Sequence, residues 1–213
     1  MATVHVVEQG DHISLIAEKY GFVNYRAIWD DPANQELRKQ RTSPNLLLPG
    51  DRLVIPEQGL RTVTCETGKR HEFRLVAAMP KLRIIVRDFD NQPMPNVNCE
   101  VEVEGKTQKL DTDETGLLEC KIPRSARQGT LRIPTLGTEV PLLIGHLDPP
   151  DSETGWKARL RNLGYWNAPP DGGEESPERL RDSIQEFQCD FGLKVTGEPD
   201  SATLAKLAEL HGC

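Results

Sequence analysis

Residues 184–207 read IQEFQCDFGLKVTGEPDSATLAKL. Leu180, Ile184, Phe187 and Phe191 recur at spacings of three and four, and Leu204, Leu207 and Leu210 do the same, so two amphipathic helices flank a Gly- and Pro-containing turn. Ser176-Pro177 supplies an N-cap and first-turn pair for the first helix, and Asp200 caps the second. Upstream, Trp156, Leu160 and Leu163 share one face of a further helix. Residues 156–213 are therefore expected to form a three-helix unit. From residue 151 onward it carries 7 basic against 12 acidic residues, most of the chain's net charge of −7.

Working toward the N-terminus, the pattern changes twice. Residues 146–155 hold Asp148-Pro149-Pro150-Asp151, a stiff stretch that suits an exposed linker. Between 81 and 145 the period is two. Leu82, Ile84 and Val86 alternate with Arg83, Ile85 and Arg87, and Val97, Cys99, Val101 and Val103 alternate with Asn98, Glu100, Glu102 and Glu104. Turns at Asp90–Pro93, Glu104–Lys106 and Asp111–Gly116 separate these runs, so six or seven short strands in a small antiparallel β-sandwich are expected. Residues 58–80 read as a connector with a strand near Glu72 to Val76. In residues 1–57 a short strand at Val4–Val7 precedes a helix carrying Ile13, Ile16, Ala17 and Tyr20, which Asp11 is placed to cap and Gly21 to stop. A second helix holds Ile28 and Trp29, Asp31-Pro32 begins a further turn, and Leu53–Ile55 closes a β-α-α-β unit. The fold class is thus multidomain α+β.

Charge and composition exclude several functions. A net charge of −7 disfavours nucleic acid and anionic lipid as partners. No membrane span is expected, and no basic segment followed by an apolar one opens the chain, so synthesis in the cytoplasm without a signal peptide is expected. Five cysteines are odd in number and widely spaced, with Cys99 and Cys120 on inward strand positions, which reads as inert buried thiols. The histidines at 5, 12, 71, 146 and 211 are scattered, without HExxH or GxSxG, and no enzyme, cofactor or metal is expected. Asp111–Gly116 resembles the start of a calcium loop but has Ile122 where the distal Glu belongs, and Glu100, Glu102 and Glu104 read as a solvated face.

Three resemblances follow from particular motifs. HVVEQGDHISLIAEKYG (5–21) and PNLLLPGDRLVIP (44–56) resemble the two ends of a LysM domain, a β-α-α-β module that binds N-acetylglucosamine-containing glycans; DDPANQELRKQRTS between them is longer than the usual spacer. RLRNLGYW (159–166) and the 184–207 stretch resemble the peptidoglycan-binding domain 1 family, whose short turn is replaced here by GGEESPE (172–178). VRDFDNQPMPNVNCEVEV (86–103) and LDTDETGLLECKI (110–122) resemble Ig-like or prealbumin-like sandwiches of bacterial surface proteins. The combination is similar to proteins encoded beside type VI secretion spike and effector genes. It implies a spike or effector partner and export to the periplasm through a contractile machine.

The LysM resemblance places a glycan groove between the loop after the first strand and the loop before the last. An acetamido sugar offers one carbonyl, one amide donor, hydroxyls and an apolar face, which a shallow site of backbone polar groups and small or apolar side chains can read. The expected ligand-binding residues are Gly10, Asp11, His12 and Ile13 with Asn45, Leu46, Leu47, Leu48 and Pro49. Asp11 or His12 would bond hydroxyls and the leucines would cover the sugar face, unless Ile13 and some leucines are core and Asp11 only a cap. Trp29, Trp156 and Trp166 are further candidates for sugar stacking. The expected function is non-catalytic peptidoglycan binding, with a protein adaptor that never touches the wall as the alternative.

Overall fold

The computed structural model describes residues 3–41, 43–59, 63–72, 79–166 and 176–211, and the chain divides between His146 and Leu147 into two compact units. The strand expected near Glu72 to Val76 falls largely outside the described residues, as does most of the GGEESPE loop.

The first unit opens with strand β1 (Thr3–Val6), helices α1 (Ile13–Lys19), α2 (Arg26–Trp29) and α3 (Gln35–Gln40), and strand β2 (Arg52–Ile55), which pairs antiparallel with β1. Ile13, Ile16, Ala17, Ile28, Trp29, Leu37, Leu47, Leu53 and Ile55 form its core. On β1 the inward residue is His5, while Val4 and Val6 face out. A buried imidazole is tolerated there because its Nε2–H donates to Asp11 Oδ2 at 2.9 Å and Tyr20 Oη–H donates to its Nδ1 at 3.2 Å. The long spacer is tied down by Asn34, buried just after the Asp31-Pro32 turn. Its Nδ2 donates to the carbonyls of Ile28 and Val54, and its Oδ1 accepts from Val54 N, each at 2.8 Å.

The helix stop at Gly21 forms as expected: Gly21 has φ 76°, and Phe22 N–H donates to Ala17 O at 2.7 Å. The helix start differs. His12, not Asp11, is the N-cap of α1, with extended backbone and its Nδ1 accepting from Leu15 N at 3.3 Å. Asp11 is turned inward by His5 and accepts instead from Glu8 N at 3.1 Å.

The rest of the first unit holds strands β3 (Lys81–Ile85), β4 (Asn98–Val103), β5 (Lys106–Asp111), β6 (Leu117–Lys121), β7 (Gln128–Ile133) and β8 (Thr138–Leu143). They form a two-stranded sheet, β3-β6, and a four-stranded one ordered β5-β4-β7-β8, all antiparallel. Cys99, Val101 and Val103 of β4, Leu118 and Cys120 of β6, and Leu131 and Ile133 of β7 share one core, the inward half of the alternation. β4 and β5 join through Glu104-Gly105, both at positive φ (49° and 72°), the backbone of a tight two-residue hairpin turn.

The second unit is helical: α4 (Glu153–Asn162), α5 (Pro177–Asp190) and α6 (Ser201–His211). Trp156, Leu160, Trp166, Ile184, Phe187 and Leu207 fill its centre. Ser176 caps α5 ahead of Pro177, and Asp200 Oδ1 accepts from Thr203 N, both as the residue types require. The stretch 146–155 departs from an exposed linker. Asp148 and Pro149 are buried, Asp148 O accepts from Arg159 Nη1 at 2.8 Å, and Pro149 O accepts from Ser152 Oγ at 2.7 Å. This segment is the entry cap of α4, its backbone oxygens satisfied by the helix it precedes.

Candidate functional site

Two places carry the chemistry suggested by the sequence: the loops beside β1 and β2, and the turn between α5 and α6.

The two loops of the first unit are brought to the same end of the β1-β2 pair. Gly50 N–H donates to Val7 O and Val7 N–H to Asp51 O, at 2.8 and 2.9 Å. Asp51 is the organiser: its carboxylate accepts from Leu48 N at 2.9 Å and receives a two-pronged contact from Arg41 Nε and Nη2, each at 2.9 Å. The sequence reading missed both residues, although Pro49-Gly50-Asp51 is a recognisable turn signal.

The expected contact residues divide by exposure. Asn45 and Pro49 are exposed and Leu48 is half-buried. Leu46 and Leu47 are buried, Leu47 within the core, and Ile13 is fully buried beside it. Gly10 and Asp11 are also buried. His12 is partly exposed but committed at both ring nitrogens, Nδ1 accepting from Leu15 N–H and Nε2–H donating to Ala126 O at 3.2 Å. Burial holds its pKa below the ordinary histidine value, opposed by the bond to Ala126. The groove that sequence reasoning placed between these loops therefore presents Asn45, Leu48 and Pro49 to solvent. The Gly10–His12 side faces Ala126, Arg127, Gly145 and His146.

In the second unit, Gln188 is fully buried and has five hydrogen-bonding partners. Its two Nε2 protons are shared among Thr196 Oγ1 at 2.9 Å, Glu198 O at 3.0 Å and Thr203 Oγ1 at 2.9 Å. Its Oε1 accepts from Thr196 N and Gly197 N at 2.8 and 2.9 Å. One side chain on α5 thus shapes the Val195-Thr196-Gly197 turn and ties it to α6. The turn leaves Val195 exposed at its apex beside Lys194. Asp200 is held below the ordinary carboxylate range by its bonds from Thr203. Tyr165, Phe187 and Phe191 pack edge-on nearby, with Tyr165 Oη donating to Asp190 at 2.8 Å. His211 ends α6: Asn162 Nδ2 donates to its Nε2 at 3.0 Å, and burial, then the Arg159 guanidinium, lowers its pKa to about 4.

The remaining candidates have structural occupations. All three tryptophans are buried, so none offers a face for sugar stacking. Asp113 Oδ1 accepts from Thr115 N, Thr115 Oγ1 and Leu117 N, which closes the Asp111–Gly116 turn on itself. Among the described residues no group of three or more His, Cys, Asp or Glu is placed to hold a metal ion. Glu100 pairs with Lys109 across β4-β5 and Glu102 with Arg132 across β4-β7. Cys99 and Cys120 are buried as expected, and burial pushes both thiols up, whereas Cys65 and Cys189 are exposed, Cys189 on the outer face of α5, contrary to the reading as buried thiols. Among the described residues no helix is long and apolar enough to cross a membrane.

A comparison with curated proteins found no match, and a comparison with solved structures found none either. Residues 156–207, from α4 through the Gln188-bonded turn into α6, match the family model described as "Putative peptidoglycan binding domain".

Proposed function

We propose that this chain is a non-catalytic peptidoglycan-binding protein that recognises N-acetylglucosamine-containing glycan as an accessory of a type VI secretion or related contractile injection system. The match of residues 156–207 to a peptidoglycan-binding family model carries the reading. Two features support it: the Gln188-bonded turn between α5 and α6, which leaves Lys194 and Val195 exposed, and the LysM-like pairing of β1 with β2 around helices, where α3 adds a third helix to the expected β-α-α-β order. The non-catalytic part rests on the carboxylates and histidines described above, which are engaged in cross-strand pairs, caps and turns rather than set across a cleft. A single shallow sugar site is weak, about −4 to −8 kcal/mol. Two modules on one polymer gain a factor of roughly 10² to 10⁴ by avidity if both reach it. On this reading the chain is made in the cytoplasm and delivered to the periplasm by the contractile machine, whose spike or effector is its protein partner.

A second reading, an adaptor between effector and spike that never touches the wall, is favoured by one observation. Gly10, Asp11 and His12 of the expected groove are packed against the sandwich. Titrating isotope-labelled full-length protein with soluble muropeptides separates the two. Peptidoglycan binding predicts shifts concentrated in the amides of 156–207, led by the 194–198 turn. An unchanged spectrum at millimolar ligand rejects it in favour of the adaptor.

A further inference from the structure

Gly10 stands at φ 86° and Gly145 at φ 79°, and they meet across the junction of the β1-α1 loop with the sandwich. A Cβ on Gly145 would lie 2.7 Å from Gly10 O, and one on Gly10 would lie 2.9 Å from His146 Nε2. Around this contact His12 Nε2–H donates to Ala126 O at 3.2 Å, Arg124 Nη1 donates to Phe22 O at 3.1 Å, and Arg127 Nη2 approaches Asp11 Oδ1 at 3.5 Å. The Gly145 backbone abuts the Gly10 carbonyl and the His146 ring lies over Gly10, so this surface is closed to a sugar ring.

We propose that the sandwich is an intramolecular cap on the Gly10–His12 loop, and that glycan reaches this loop only in molecules whose cap has lifted. The inference rests on the reading of residues 1–57 as a glycan-binding module. When only a fraction of molecules is competent, apparent affinity falls by that fraction, so loosening the cap strengthens binding without adding a contact. Among the cap's polar holds Arg127 is accessible, its side chain 56% exposed, while the Arg124 and His12 bonds are part-buried. Arg124 and Arg127 lie outside the buried sandwich core, whereas Ala126 belongs to it. The junction can therefore be loosened without cutting into either core.

The test compares full-length wild type, Arg127→Glu, which sets a carboxylate against Asp11, and Arg124→Ala/Arg127→Glu. Binding of an N-acetylglucosamine tetramer is measured by calorimetry, hydrogen exchange follows the Gly10–Ile13 amides, and thermal melts check folding. The cap predicts faster exchange in both variants and an apparent Kd about tenfold lower in the double variant, about 1.4 kcal/mol, with Arg127→Glu between. Equal affinities in chains whose exchange has accelerated overturn the cap and leave the glycan reading standing. Unaltered exchange in the double variant also overturns it, since these arginines would then not hold the contact. No binding by any of the three removes the glycan reading of the loop and the cap with it.

Discussion

Replacing Gln188 with Leu tests how the segment that matches the peptidoglycan-binding family model is held in shape. Leucine keeps most of the buried volume but removes both polar ends, so the loss is almost purely of hydrogen bonds. The amide N–H groups of Thr196 and Gly197, the Glu198 carbonyl and the Thr203 hydroxyl lose the partner they share. Thr203 Oγ1 keeps its bond to Asp200 and the Thr196 hydroxyl has a second acceptor at Glu198 O, so those two groups are partly compensated. The two backbone N–H groups are the main loss, at about 1–3 kcal/mol each when buried without a partner, whereas the Glu198 carbonyl keeps the Asp200 N–H at 2.8 Å. A destabilisation of about 3 to 5 kcal/mol follows, a large share of what a small helical unit has. Hydrogen exchange by mass spectrometry across a urea series reads it locally. Peptides within 176–211 should lose protection at lower urea while peptides within 3–41 are unchanged. Exposed Glu186→Ala on the same helix should shift them by less than about 0.5 kcal/mol. A loss below about 1 kcal/mol in Gln188→Leu would refute the reasoning.

Three further predictions concern other parts of the chain. Gly155→Ala places a Cβ 1.9 Å from Pro149 O and 2.8 Å from Asp148 O, so the cap of α4 must open; a loss of about 3 kcal/mol is expected in the second unit by denaturant titration, and a wild-type midpoint would contradict the geometry. His211 has a folded pKa of about 4 against 6.5 unfolded, so between those values the unfolded chain holds more protons. Stability of the second unit is therefore complete above pH 6.5 and declines as pH falls toward 4, by about 1 to 2 kcal/mol once partial exposure of the ring is allowed for; His211→Gln should flatten that slope in melts taken across the range. Glu104→Asn, at φ 49° before Gly105, suits the hairpin turn better and should stabilise the sandwich by about 0.5–1 kcal/mol, less the bond from Ser125; a lower melting temperature would count against it.

What the sequence made legible is what local periodicity and caps encode. The spacing of Ile184 and Phe187, the Ser176-Pro177 start, the Gly21 stop and the inward alternation of Cys99, Val101 and Val103 all recur in the structure, because each is decided within one or two turns of chain. Long-range polar contacts were not legible. Asn34 and Gln188 read as ordinary polar residues of a spacer and a helix, yet both are buried hubs whose partners lie up to 20 and 15 positions away. His5 and Asp11 exchange an alternation rule and a cap for a buried pair, which moves the cap to His12. Asp148-Pro149 has the composition of a linker, and only the fit of Gly155 and Arg159 against its carbonyls makes it a cap. The groove residues fared unevenly for the same reason. Asn45, Leu48 and Pro49 keep solvent contact, whereas Gly10 to His12 are covered by chain more than 100 positions away.

The most direct test is co-sedimentation of the purified full-length protein with insoluble peptidoglycan sacculi, beside Gln188→Leu. The account predicts that wild type pellets with the sacculi and that a far smaller fraction of Gln188→Leu does, while its 3–41 peptides retain wild-type exchange protection. Wild type left in the supernatant, or both chains pelleting equally with the second unit of Gln188→Leu unfolded, would contradict wall binding through residues 156–207.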